Sequence, residues 1–287
     1  MNYSRTKITF IFIGLLFFSN VFAWQVVFGL SGQQYSEVNF FNVGQGDAVF
    51  IETPSRKQIL IDGGPDSQIL EKLGKEMSFY DRTIDLVILT HPEKDHLFGL
   101  IEVLKRYKIK NILWTGVVKD MAEWEEWSKL TEEEDANIKI AEAGDRIILG
   151  NPFIFFDVLN PTESEDGNEL EDSNNTSIVL SLTIGKNKFL FTGDASFKTE
   201  KQLIEKDIDS DVLKVAHHGS KTSTSEQFLE KVSPLIAVIS VGKNNYGHPT
   251  EELLARLDNF NIEVLRTDED GDVKIISNGE NLKLITK

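Results

Sequence analysis

From residue 37 onward, short apolar runs are punctuated by turn residues. The runs 38–43, 48–53 and 58–62 read as strands separated by Gly44-Gln45-Gly46-Asp47 and Pro54-Ser55. Helical spacing follows over 69–77 and again over 100–107, and between them 84–90 is a continuous apolar run of the kind a buried strand needs. Strands are predicted at 111–115, 138–141, 146–149 and 153–159, with an acidic, Trp-bearing surface helix at 120–135. Residues 161–175 are rich in Glu, Asp, Ser, Asn and Gly, so they read as a loop, either a lid over a site or a plain insertion. Strands 177–184 and 188–192 are joined by Gly185-Lys186-Asn187, a hairpin signal. The last third alternates: helix 197–205, strand 212–216, helix 225–232, strand 235–240, helix 251–260, then strands near Val264 and at 273–276. Strands dominate each half with helices between them. That pattern suggests an α+β protein with two sheets face to face and helices outside, a four-layer αββα plan.

The N-terminus is different in kind. Residues 8–30 are mostly apolar behind Arg5 and Lys7. One reading is a signal peptide with its apolar region at 8–18 and cleavage after Val21-Phe22-Ala23. The favoured one is an uncleaved signal anchor, since about 20 apolar-compatible positions suffice to cross a bilayer; a buried helix is the third. Basic residues before the span and acidic ones after it put the N-terminus inside. The expectation is a membrane or signal segment over 1–30 and a globular domain over 31–287. The domain would be held outside the cytoplasmic membrane as a single-pass protein, or secreted.

Composition narrows the chemistry. The chain has no cysteine, which excludes disulfides, thiolate nucleophiles and thiolate metal sites. Any metal must be held by His, Asp, Glu, Asn or water. The net charge of −16 repels a polyanion from the general surface. It counts against a protein that coats DNA through many Lys and Arg contacts. It does not exclude an enzyme that grips one phosphodiester through metal ions. Lys214, Lys221, Lys243 and Lys274 are candidates for a local basic rim.

All five histidines, His91, His96, His217, His218 and His248, follow an apolar strand-like run within a few residues. A strand end aims a side chain into a cleft from a rigid backbone. The sharpest string is Thr90-His91-Pro92-Glu93-Lys94-Asp95-His96. On an extended loop, His91, Glu93 and Asp95 would project to one side and His96 toward a second ion. Imidazole and carboxylate together suit zinc, manganese or iron. In Phe191-Thr192-Gly193-Asp194 a strand ends at a carboxylate placed to bridge two cations, or to cap the next helix. Val215-Ala216-His217-His218 puts a histidine pair after a strand, and His248 lies in the turn Tyr246-Gly247-His248-Pro249.

Several of these strings resemble the metallo-β-lactamase superfamily, in particular the hydrolase domain of the bacterial DNA-uptake protein ComEC and its stand-alone relatives. The carrying residues are Phe41-Asn42-Val43-Gly44-Gln45-Gly46-Asp47-Ala48, Leu60-Ile61-Asp62-Gly63-Gly64, the string from His91 to His96, Asn174-Asn175-Thr176-Ser177, Thr192-Gly193-Asp194 and His217-His218-Gly219-Ser220. The resemblance implies an αββα sandwich with a dinuclear site at one edge. It implies His91, Asp95, His96, Asp194 and one of His217 and His218 as ligands, with the strand-end position favouring His218. Asp62 resembles the family carboxylate that orients a ligand from behind. Asp47, Asn175 and Ser177 join it as supporting candidates.

Two departures from the family pattern stand out. Glu93 occupies the place of the second histidine of the common motif. No histidine lies between His96 and His217, so the usual third-motif ligand is replaced by Asn174, Asn175 or Ser177. Oxygen-rich ligation favours manganese or weak occupancy over tight zinc, with one or two ions bound. The leading expectation is a phosphodiesterase or nuclease acting on single-stranded DNA. In it the metal activates water, Asp95 orients the nucleophile and His248 steadies the phosphoryl oxygens. The partners expected are DNA, the membrane and a separate DNA-uptake channel protein. Competing readings are a hydrolase of another ester, lactone or β-lactam on the same scaffold, and a non-catalytic module of an uptake assembly.

Overall fold

The computed structural model describes residues 2–30, 34–170 and 172–285. The chain divides into two units, Met1–Gln34 and Tyr35–Lys287. The first contains a helix over Asn2–Leu30. The expected membrane-spanning anchor is overturned: among the described residues, no helix is long and apolar enough to cross a membrane. The single-pass placement in the cytoplasmic membrane falls with it.

The second unit is built on two large sheets. One has eight strands in the order Leu282–Ile285, Val273–Ser277, Ser36–Phe40, Val49–Glu52, Gln58–Ile61, Leu86–Ile88, Asn111–Trp114 and Asn137–Ile140. The other has seven, in the order Glu263–Arg266, Ile236–Ile239, Val212–Lys214, Asn187–Phe191, Val179–Ile184, Ile154–Asn160 and Arg146–Asn151. The apolar runs are nearly continuous because both faces of each sheet are covered. Along Val49–Glu52, Val49 and Ile51 enter a core shared with Phe156, Leu180 and Phe191 of the other sheet. Phe50, between them, packs with Leu73, Leu97 and Trp127 of the helices outside. In the second sheet Leu190 and Leu213 turn outward onto Leu203, Phe228 and Leu253. Alternation of period two thus feeds three apolar layers, and the αββα order follows.

The pairing places the site. Gln58–Ile61, Leu86–Ile88 and Asn111–Trp114 run parallel, with Ile61 opposite Ile88. In the other sheet Phe191 lies opposite Lys214, and Lys214 opposite Val238, also in parallel. Parallel strands that end level deliver the residues that follow them to one edge. Those residues are Asp62, Thr90-His91, Asp194, His217-His218 and Ser240.

Several local expectations are corrected. The run 84–90 is broken at Asp85, which accepts from Gln58 N at 3.1 Å and from Lys57 and Lys110 at 3.0 and 2.9 Å. The helix expected from residue 100 begins at Lys94, inside the ligand string. Loop 161–175 is pinned rather than floppy: Val118 N donates to Asn168 O at 2.8 Å and Gly167 N to Gly116 O at 3.0 Å. The closing strand Leu282–Ile285 was not foreseen; it pairs with Val273–Ser277 at the sheet edge.

Candidate metal centre

Asp62 lies immediately after a buried strand, with a left-handed φ of 57°. It is buried and accepts three hydrogen bonds: from Thr90 N at 2.8 Å, from Thr90 Oγ1 at 2.7 Å and from His96 Nδ1 at 2.8 Å. Thr90 Oγ1 in turn lies 3.0 Å from Nδ1 of His91. With its hydroxyl proton given to Asp62, Thr90 accepts from His91 Nδ1–H. One carboxylate thereby orients both rings, leaving the Nε2 atoms of His91 and His96 turned toward Asp194. His218 is set in the same way by another group, since its Nδ1 donates to Ser240 O at 2.9 Å.

The early helix start places Asp95 and His96 in its first turn. That helix is seated by a glycine pair: Gly99 N donates to Gly64 O at 2.9 Å and Gly63 N to His96 O at 2.8 Å. A Cβ at Gly99 would stand 1.8 Å from Gly63 O, so any side chain there displaces the helix that carries two site residues.

Five groups converge. His96 Nε2 lies 3.4 Å from Asp194 Oδ1, and His218 Nε2 lies 3.2 Å from Asp95 Oδ2 and 3.6 Å from Asp194 Oδ2. His91 Nε2 is 3.9 Å from Asp194 Oδ2. Ligand atoms about 2.0–2.2 Å from one ion stand roughly 3–3.6 Å apart, and most of these separations match. His91, His96 and Asp194 form one set whose atoms all lie within 4.8 Å of each other, and Asp95, His96 and His218 another. The Nε2 atoms of His91, His96 and His218 and Oδ1 of Asp194 are buried without a hydrogen-bond partner. Orphaned buried donors and acceptors at one point are costly unless a ligand completes them. The donor set therefore fits a divalent cation.

The remaining predicted residues take other places. His217, partly exposed, has Nε2 3.9 Å from Asp194 Oδ2, so of the histidine pair His218 is the more closely engaged. Glu93 lines the cleft beside Asp95 but stands outside the converging ligand sets. It is the extended residue before the helix, and its Oε1 accepts from Lys119 Nζ at 2.6 Å and from Ser173 Oγ at 2.8 Å. It latches loop 161–175 to the ligand string. Ser177 Oγ accepts from Asp194 N at 3.0 Å. Asn175 faces away, its Oδ1 accepting from Ser196 Oγ at 2.5 Å. Asp47 sits behind the histidines, 3.3 Å from His218 Nδ1.

Lys214 corrects a second expectation. It is buried, ion-paired with Asp47, and donates to Gly193 O at 3.2 Å. Lys274 is held by Glu37 and Glu76 at 2.8 and 2.7 Å. Neither contributes to a basic rim. A lysine inside the apolar strand Val212–Lys214 was the available sign that its partner would be an internal carboxylate.

A family model for the metallo-β-lactamase superfamily matches residues 41–243. The chain belongs to that superfamily. Among its relatives, ComE operon protein 3 of Bacillus subtilis is 34% identical over 83% of this chain and 32% of its own length. Recombination protein 2 of Haemophilus influenzae is 30% identical over 83% of this chain and 28% of its own. The chain thus spans about a third of the relatives it matches. Among solved structures, the metallo-β-lactamase-fold protein YhfI of Bacillus subtilis aligns with 85% of this chain and 100% of its own at a TM-score of 0.58 and 14% identity, a likeness of fold. The coarse class is a metal-dependent hydrolase of the metallo-β-lactamase superfamily.

The electrostatics of this metallo-β-lactamase site separate its histidines. Burial, then the neighbouring His96, pushes the His91 pKa down to about 3, so His91 is neutral. Burial opposes charge on His218, yet Asp194, Asp47 and Asp95 raise its pKa to about 10. The same contest raises His96 well above the ordinary imidazole value, through Asp194 and Asp62. Protons on these imidazoles balance the carboxylates when no cation does, and binding one releases them. Burial, then His217 and His218, lowers His248 and keeps it neutral.

Proposed function

We propose that this protein is a metal-dependent phosphodiesterase acting on DNA. The observation that carries the reading is the convergence of His91, Asp95, His96, Asp194 and His218, of which Asp95, Asp194 and His218 line an open cleft of about 340 Å³. The relative named recombination protein 2 supports DNA as the substrate.

His91, Asp95, His96, Asp194 and His218 would hold one or two divalent ions, and the mixed imidazole–carboxylate set suits zinc or manganese. A divalent cation bound there supplies an activated water near neutral pH and neutralises phosphoryl charge. The chain's own contribution is position. Asp95, its carboxyl held below the ordinary range by His218 and His96 against its burial, is ionised and able to orient a water. His248 lines the same cleft as a neutral imidazole, with Nδ1 buried and unpartnered, and its ring N–H can steady a phosphoryl oxygen. Asp62 and Thr90 keep the tautomers fixed so that no reorganisation accompanies the reaction.

The test is hydrolysis of labelled single-stranded DNA by the purified full chain with manganese or zinc. His96→Ala and Asp194→Asn should each lower kcat/KM by at least about a hundredfold. Undiminished activity in either variant would remove the assignment.

A further inference from the structure

Resting on that reading, we infer that Tyr246 is a stacking platform that selects strands with unpaired bases. Tyr246 is 77% exposed, yet it lines the cleft that contains Asp95, Asp194 and His218. It also lines a wider recess of about 710 Å³ that shares Gln45, Glu93 and Asp95 with the first and adds Lys94 and Lys243. Its ring centroid is 5.9 Å from that of His248, whose ring is 5.7 Å from His217. A line of rings therefore runs from solvent to the carboxylates.

The loop that presents the ring is built rather than loose. Asn244 Oδ1 accepts from Tyr246 N at 3.0 Å and from His248 N at 3.1 Å, while Asn244 Nδ2 donates to Gly242 O at 2.9 Å and His248 O at 2.7 Å. A tyrosine ring held out to water on a loop closed by four hydrogen bonds adds little buried area to the fold. It is pre-organised for a flat partner.

Charge points the same way. The recess and cleft carry Glu93, Asp95 and Asp172, and the chain has a net charge of −16. Phosphate contacts alone cannot dominate binding on such a surface. Lys243 supplies a cation beside the ring, and a base face supplies the remaining contact. In a duplex the base faces are covered by their neighbours, so only an unpaired strand offers one.

The experiment measures binding and cutting separately, on the full chain. Fluorescence anisotropy in chelator compares a labelled oligothymidylate, an abasic strand of equal length and a duplex. The single strand should bind about tenfold more tightly than the abasic strand, Tyr246→Ala should erase that preference, and Tyr246→Trp should keep it. Raising salt from about 50 to about 200 mM should cost less than about tenfold, far below the ~10³–10⁵ expected of a phosphate-driven binder. Equal affinities for the three probes, or a preference unchanged in Tyr246→Ala, would overturn the inference. If Tyr246-dependent binding is found but no strand is cut with manganese or zinc, the phosphodiesterase reading fails and the platform stands.

Discussion

The carboxylate of Asp62 reaches Nδ1 of His96 directly at 2.8 Å, and its second contact, the Thr90 hydroxyl, reaches Nδ1 of His91. Neither histidine can choose its tautomer independently of this one side chain. Asp62→Ala should lower divalent-metal affinity by about 10–100-fold, the range for carboxylates that orient ligating histidines. Titration calorimetry on the full chain checks it, and an unchanged affinity would show that the histidines need no orientation from behind.

Glu93 and His96 are expected to part company. His96→Ala should abolish tight binding of at least one ion, whereas Glu93→Gln should retain metal. Glu93→Ala should instead free loop 161–175, because it removes the acceptor for Lys119 and Ser173. Metal content by mass spectrometry and limited proteolysis between residues 161 and 175 separate the two roles. Loss of metal in Glu93→Gln would restore Glu93 to the ligand set.

The pH dependence has a definite sign. In metal-free protein, His218 has a pKa of about 10 against 6.5 unfolded, so the folded chain binds more protons between those values. Its contribution to stability is complete below about pH 6.5 and declines as pH rises toward 10. His91, lowered to about 3, works oppositely: its contribution is complete above about pH 6.5 and is lost as pH falls toward 3. Chelator-treated protein should therefore melt highest near neutrality. Because metal must displace protons from His96 and His218, its affinity should fall as the medium is acidified. Equal affinities at about pH 6 and about pH 8 would contradict the proton release.

Phe191 tests the sandwich itself. Its ring is buried between the sheets, 6.0 Å from Phe40, 6.2 Å from Phe156 and 6.4 Å from Phe189. Phe191→Ala should cost about 3–5 kcal/mol in urea unfolding. A cost below about 1 kcal/mol would mean that the two sheets do not meet at this layer.

By itself the sequence determined the strands, since runs such as Leu86–Ile88 and Ile236–Ile239 are apolar on both faces and only a covered sheet accommodates them. It also determined the kind of chemistry: with no cysteine and five strand-end histidines, a metal site had to be built from imidazole and carboxylate. What the chain could not reveal was direction. Glu93 sits in the middle of the ligand string, but the helix starts one residue later and turns it to Lys119, while Asp95 and His96 turn inward. Lys214 looked like a surface cation and is buried against Asp47. The apolar N-terminal stretch looked like a membrane span, but no helix among the described residues is long and apolar enough to cross. Tertiary structure decided these matters for one reason: local pattern sets which residues end a strand, whereas the level ends of parallel strands far apart in sequence set what each side chain finally faces.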